Sequence, residues 1–512
     1  MHPLCRVMPC SAPTNWHWMA SPTKPIMCDN GPVIVGMPRM SGRALQALLP
    51  DIRGLPGPVY SALCDAIVSL VLDGRVAPET RLPSERELAL QLRLSRATVT
   101  AAYDRLRAQG FLQSRTGAGS YVTLPVGTRP TPSAARWSPP ATHTDEIDLS
   151  CAALPAPPGL FPDVLIGADV RIAELGHGSG YDPLGLPELR EAIAARFRAR
   201  GVATDPDQII VTNGSLHAFD LLLRLLLGPG DRVLVELPTY PGALDALRSN
   251  GARIMPVPVA PGGGWQVGHM QATLRQTAPR LALLIPDFHN PTGALVGADD
   301  RRGVLRTART TGTTVVIDES FFELGYDGTP ITTAGIDPSV VTIGSLSKPV
   351  WGGLRLGWVR GSTDLVRRLA AQRAATDLAG SALDQVVGIE LFARLDEIVE
   401  GRRAELRPRR DALLAALAAQ LPEWQVPVPA GGLSVWAELD APLATPLTVA
   451  AAQYGVILVS GSRFGIDGTL ERFLRLPFSL PIPRLEEAVS RLADAWHGLD
   501  RSRAELRQLV VA

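Results

Sequence analysis

The stretch TIGSLSKPVWGGLRLGWV, Thr342–Val359, decides the reading of this 512-residue chain, and Lys348 is its centre. Lysine and arginine together number 50, yet only Lys24 and Lys348 are lysines. Lys24 falls in an irregular N-terminal stretch, so Lys348 is the one amine in the part expected to fold. A guanidinium stays protonated and cannot act as a nucleophile, whereas a desolvated ammonium can lose its proton and attack a carbonyl. Beside it, Ser345 and Ser347 offer hydroxyls and Arg355 a fixed cation, as an anionic ligand needs. Glycines at 344, 352, 353 and 357 let backbone approach closely. The pattern predicts a Schiff-base lysine for pyridoxal phosphate (PLP); the alternative is a chance lysine in a Gly/Ser loop.

On either side of this stretch, short apolar runs alternate with helical segments. QIIVTNG, DRVLVELP, LALLIPD, TTVVIDES and VVTIGSLS read as strands with polar or small residues at their C-terminal ends. Alternation of this kind predicts an α/β domain over 148–512, with a mostly parallel sheet and a site at the strand ends. The candidate residues fall there. Gly214 and Ser215 precede a helical run, a phosphate cradle at a helix N-terminus. Tyr240 follows DRVLVELP and is available to stack on a flat ring. Asn290 sits in HNPTG, and Asp318 ends TTVVID, where a carboxylate can keep a pyridinium nitrogen protonated.

The order GS, PxY, NPTG, D, then SxSK with an arginine seven residues later resembles the fold-type I aminotransferases over about Tyr181–Phe478. The resemblance implies that Lys348 forms the internal aldimine, Asp318 pairs with the ring nitrogen, Asn290 bonds the ring oxygen and Tyr240 stacks. Ser215, Ser345, Ser347 and Arg355 then hold the phosphate, helped by Gly214 and the Leu216 backbone N–H. Tyr181 resembles the tyrosine that reaches the partner subunit's phosphate, and Arg475, in FLRLPF, the arginine that clamps an α-carboxylate. A homodimer with shared sites follows, with a smaller C-terminal α+β part over about 385–512. One departure stands out. The tyrosine usual two or three residues after the aspartate is replaced by Ser320 and Phe321. Its loss should alter the aldimine pKa and slow proton transfer, which puts efficient transamination in doubt while leaving cofactor binding intact.

Residues 1–45 mix Pro, Cys, Met, Trp and Gly without period and read as a disordered tail, with Met37 and Met40 as alternative starts of translation. Residues 46–124 predict a DNA-binding module. Leu63, Ile67, Leu70 and Val71 recur at helical spacing. Ser84 and Ser95 can cap the two helices of a helix-turn-helix, the second burying Val99, Ala102, Tyr103 and Leu106. Arg96, Thr98 and Thr100 are expected free on its first turn, and strands 111–115 and 120–123 form a wing around TGAG. From Arg81 to Arg115 seven arginines face three acids, a local +4. LPSERELA…SRATVTAAYDRLRAQGFLQSRTGAGSYV resembles the winged helix of GntR-type transcription regulators, which implies DNA contacts by Arg86, Ser95, Arg96, Thr98 and Gly117. Residues 125–147 read as a polar linker.

Net formal charge is zero, so any nucleic-acid site must be local. Five cysteines without CxxC spacing argue against disulfides and a metal site and fit a reducing cytoplasm. The N-terminus lacks the basic and apolar runs of a signal peptide, and LLLRLLL at 221–227 is too short to span a bilayer. A winged helix, linker and aminotransferase-like domain in this order resemble the MocR subgroup of GntR regulators. That resemblance implies ligand-gated binding of a double-stranded DNA operator, with PLP or an amino compound as effector. The alternatives are a working aminotransferase with a vestigial DNA module, and a regulator whose PLP site is only structural.

Overall fold

The structure, a computed structural model, describes residues 40–511 apart from 51, 54–56, 73–75, 77–80, 116–118, 124–144, 260–263, 328–329 and 467–469. Its N-terminal unit holds α1 (Gly42–Leu48), α2 (Val59–Leu72), α3 (Glu85–Leu92), α4 (Arg96–Ala108) and the antiparallel wing β1 (Leu112–Arg115) and β2 (Gly119–Val122). Ser84 and Ser95 cap α3 and α4, accepting from Glu87 N at 3.2 Å and Thr98 N at 3.1 Å. The expected apolar stripes close over one another in a single core. Helix α1 is a departure, because the tail was expected to run to residue 45. Leu45 is fully buried in this core and Gly42 N donates to Glu87 Oε1 at 2.8 Å. Seven residues are too few to show a helical period in sequence.

The expected linker lies outside the described residues up to 144. Its predicted end falls inside β3 (Ile147–Asp148), since Ile147 is buried. The large sheet has seven strands: β4 (Ile209–Thr212), β5 (Arg232–Leu237), β6 (Arg253–Pro258), β7 (Leu281–Leu284), β8 (Thr314–Asp318), β9 (Val341–Ser345) and β10 (Gly357–Arg360). Their order is β4-β10-β9-β8-β7-β5-β6, with β10 antiparallel to both neighbours and the remaining pairs parallel. Strands β4, β7 and β9 are buried throughout, as a sheet covered on both faces requires. The two strands without a sequence signal are β6, an edge strand whose two prolines an edge tolerates, and β10, only four residues long. Helices α5 (Leu160–Leu175), α6 (Pro187–Ala199), α7 (Ser215–Leu226) and α8 (Pro241–Ser249) lead into and around it.

A second core gathers Ile147, Leu149, Ala152 and Leu154 with Leu406, Leu413, Leu417 and residues of β11 (Ser434–Glu438), β12 (Val456–Ile457), β13 (Val459–Ser460) and β14 (Phe473–Pro477). Val386, Leu391, Leu395, Ile398 and Val399 pack instead on the large sheet. The smaller part therefore starts between Val399 and Leu406, within the 26-residue helix Leu395–Gln420, and not at 385. It also takes in β3, which pairs in parallel with β12.

At the β4–β10 joint only glycine fits: a Cβ on Gly357 would sit 2.6 Å from Gly214 C and 2.8 Å from Gly344 O. Gly357→Ala should destabilise the protein by about 1–3 kcal/mol, the usual cost of overpacking. A urea midpoint equal to that of the wild type would show that the joint yields freely.

Candidate cofactor site and nucleic-acid interface

Lys348 lies in the turn that follows β9, its Nζ donating to Ala152 O at 2.9 Å and standing 5.6 Å from the Phe321 ring centre. Burial holds its pKa below the ordinary lysine value of 10.5; Arg475 and Arg355 push the same way, while Cys151 and Asp318 push back. Asp318 closes β8 and accepts from Ser320 N at 2.8 Å. Burial pushes its pKa up, against the Ser320 hydrogen bonds and the Lys348 charge. Tyr240 stands at the N-terminus of α8, and its phenol pKa is raised, by burial first and then by the Asp318 charge. Asn290 is buried with no hydrogen-bond partner for Oδ1. Either amide orientation leaves a polar atom there for a ligand.

The anion cradle forms where β10 meets β4. Gly214, at φ 94°, caps α7, so the amides of Ser215 and Leu216 open the helix. Ser215 Oγ receives the Ser320 hydroxyl at 3.0 Å. Arg355 sits in the left-handed region, at φ 50°, and donates through Nη2 to Asn213 O at 2.8 Å. A Cβ on Gly214 would lie 3.0 Å from that nitrogen. Ser345 Oγ accepts from Ser347 N at 3.3 Å, so both serines stand at the β9 end. Among the described residues Arg355 has no carboxylate partner, and a helix N-terminus beside a guanidinium held only by a carbonyl suits a phosphate.

Arg475, on β14, is buried, and its Nη2 donates to Ser150 O while Nε has no partner. Burial lowers its pKa to about 10, so it remains a cation at neutral pH; the Phe464 ring lies 5.0 Å away. Tyr181 stands apart, 70% exposed in the loop before α6, and does not join this cluster within one chain.

These residues fit PLP: an amine whose pKa burial lowers, a part-buried carboxylate with no ion pair among the described residues, an orphaned amide, and a helix N-terminus beside an arginine that has no carboxylate partner. When bound, PLP supplies an aldehyde that condenses with amines and a ring that withdraws electrons. In holding that group Lys348 would present its amine, Asp318 would hold a proton at the ring nitrogen, the α7 N-terminus and Arg355 would neutralise the phosphate, and Arg475 would receive a carboxylate. Sequence reasoning missed the segment Ser150–Ala152, whose two carbonyls hold Arg475 and Lys348. A main-chain carbonyl leaves no signature in sequence.

In the winged helix, Arg86 and Arg96 are exposed at the starts of α3 and α4. Ser95 Oγ lies 2.8 Å from Thr98 Oγ1, so these two hydroxyls are coupled at the helix start. Thr100 is not free as expected: its hydroxyl donates to Glu85 Oε2 at 2.7 Å and thereby joins α4 to α3. That bond, then Arg107, holds the Glu85 carboxyl below its ordinary range. Gly117 lies outside the described residues.

Because burial favours the neutral amine, uptake of PLP by cofactor-free protein should rise with pH at a midpoint below 10.5. Stopped-flow absorbance at a series of pH values checks this; a midpoint at the ordinary lysine value would mean that Lys348 is solvated.

Residues 156–492 match the family model "Aminotransferase class I and II", and residues 59–122 match "Bacterial regulatory proteins, gntR family". An uncharacterized HTH-type transcriptional regulator of Bacillus subtilis, YisV, is 29% identical over 74% of this chain and 84% of its own. The probable rhizopine catabolism regulatory protein MocR of Rhizobium meliloti is 33% identical over 59% of this chain and 65% of its own. The crystal structure of LysN, an α-aminoadipate aminotransferase of Thermus thermophilus complexed with N-(5'-phosphopyridoxyl)-L-leucine, superposes with a TM-score of 0.64. It is 30% identical and covers 70% of this chain and 93% of its own. With a GntR-type winged helix joined to a site of this geometry, the chain belongs to the aminotransferase class I and II family, in the MocR subgroup of GntR-type regulators.

Proposed function

We propose that this chain is a PLP-dependent transcription regulator that binds operator DNA through its winged helix and senses PLP or an amino compound through Lys348. Arg475 is the observation that carries the reading. It is a buried cation with no carboxylate partner among the described residues, held by the Ser150 carbonyl beside the lysine whose amine meets the Ala152 carbonyl. A ligand with both a carboxylate and an amine, or an amine-reactive carbonyl, competes for both positions. The same segment runs back through Leu149 and Ile147, whose amides donate to Ile457 O at 2.9 Å and Gly455 O at 2.8 Å, towards the linker. Differential affinity for two arrangements of this segment is what coupling to DNA requires.

A homodimer fits the exposure of Leu165, Ile166 and Tyr181, at 51%, 78% and 70%, on α5 and the loop after it. Cys64 and Cys151 are free thiols, which fits a reducing cytoplasm, and no described helix is long and apolar enough to cross a membrane. The likeness to an aminotransferase favours a second reading, a working transaminase. Phe321 argues against it, because an apolar ring faces Lys348 in the region of the usual phenol.

Footprinting of the full chain on DNA upstream of its own gene tests the proposal. Protection should change with PLP in the wild type and stay constant in Lys348→Ala. Arg475→Ala should weaken an amino-acid effector by about 10- to 100-fold, the worth of a charged hydrogen bond. Steady turnover of an amino acid with a keto acid, without specific protection of DNA, would replace this reading with the enzymatic one.

A further inference from the structure

Three strands of the large sheet begin in the same way: GDRVLV at 230–235, GARIMP at 251–256 and APRLAL at 278–283. Arg232 and Arg253 are register partners on β5 and β6. Arg280 lies on the other side of Arg232, its amide donating to Arg232 O at 2.8 Å, just ahead of the Val233–Leu281 pair of β5 and β7. The strands are consecutive in the order β7-β5-β6. Residues at one level of neighbouring strands point to the same face, with strands about 4.8 Å apart. Three guanidinium groups therefore rise side by side.

They line a cavity of about 310 Å³ together with Asp231 and Thr311. All three are exposed, and none forms an ion pair among the described residues. Asp231, the only acid of the lining, already accepts from Gly228 N at 2.8 Å. Arg280 Nε reaches only the Leu226 carbonyl, at 3.3 Å. By contrast, Arg301 has Asp287 at 2.7 Å and Arg200 has Glu319 at 3.1 Å. Like charges directly opposite across strands destabilise a sheet, so the row works against the fold unless an anion covers it. It lies at the strand starts, whereas Asp318 and Ser345 stand at strand ends, so it is not part of the cofactor cleft.

The geometry points to a second DNA contact: Arg232, Arg253 and Arg280 bind the sugar–phosphate backbone of the operator. This rests on the reading that the winged helix binds DNA. An exposed row of three cations suits a line of singly charged phosphates. The 21 residues of 124–144 can span at most about 70 Å, which lets the body reach the duplex its winged helix holds.

The test uses the full chain and the footprinted operator, with affinity measured over a salt series. Arg232→Gln, Arg253→Gln and Arg280→Gln combined are compared with Arg306→Gln, Arg367→Gln and Arg368→Gln, the same charge change elsewhere. The first set should lower the slope of log K against log salt by about 2–3, near 0.9 per phosphate lost, and the control set should not. It should also unfold at the same temperature or higher, because it removes repulsion, so lost binding would not reflect lost folding. Equal slopes for the wild type and both sets overturn the proposal. So does an unchanged slope with inorganic pyrophosphate raising the unfolding temperature of the wild type and not of the first set, which would assign the row to a small phosphate compound. A wild type that binds no DNA specifically overturns the winged-helix reading, and this contact with it.

Discussion

The cofactor cleft depends on one close approach, backbone to backbone, between Gly357 on β10 and Gly214 before α7. Strand β10 runs against the direction of the sheet and wedges between β4 and β9. That insertion brings Arg355, in a left-handed turn just before β10, to the first turn of α7. The positive end of a helix and a fixed guanidinium then converge on the same few ångströms. Any side chain at 357 would separate the two strands and move the arginine away from the helix.

Around that cradle the charges do not balance. Lys348, Arg355 and Arg475 converge on a cleft in which none of them forms an ion pair among the described residues; Asp318 acts on Lys348, and burial raises that carboxylate's pKa. Each cation rests on a main-chain carbonyl: Ala152 for the lysine, Asn213 and Ser150 for the arginines. A carbonyl offers a partial charge where a phosphate or carboxylate offers a full one, so each of these cations can bond more strongly to an anion. The three carbonyls thus hold cations that a doubly anionic ligand would also suit. Two of the three belong to the segment that β3 connects to the linker. The cleft is thus linked through these hydrogen bonds to the segment that precedes it in the chain.

In the winged helix, charge serves two purposes that composition alone merges. Arg107 bridges Asp104 and Glu85 at 2.5 and 3.2 Å, and Thr100 donates to Glu85, so these groups lock α4 to α3. Arg86, Arg93 and Arg96 are exposed. The local excess of arginine was legible in sequence; which arginines are structural was not, because an ion pair across helices depends on their crossing and not on spacing along the chain.

What the sequence determined by itself follows local rules. Strand ends bear the reactive side chains because apolar runs stop at Thr212, Asp318 and Ser345; serines 84 and 95 cap helices because a hydroxyl can reach the amide three residues on. A single amine among arginines marks Lys348 on chemical grounds alone. Tertiary structure decided what needs two distant segments at once. It placed β10 in the middle of the sheet, divided the helix Leu395–Gln420 between two cores, and drew β3 into the smaller part. It set Phe321 over the lysine, and it aligned Arg232, Arg253 and Arg280 in one row. Periodicity reports which face of an element is buried; only packing reports which other element covers it, and only the covering element supplies the partner.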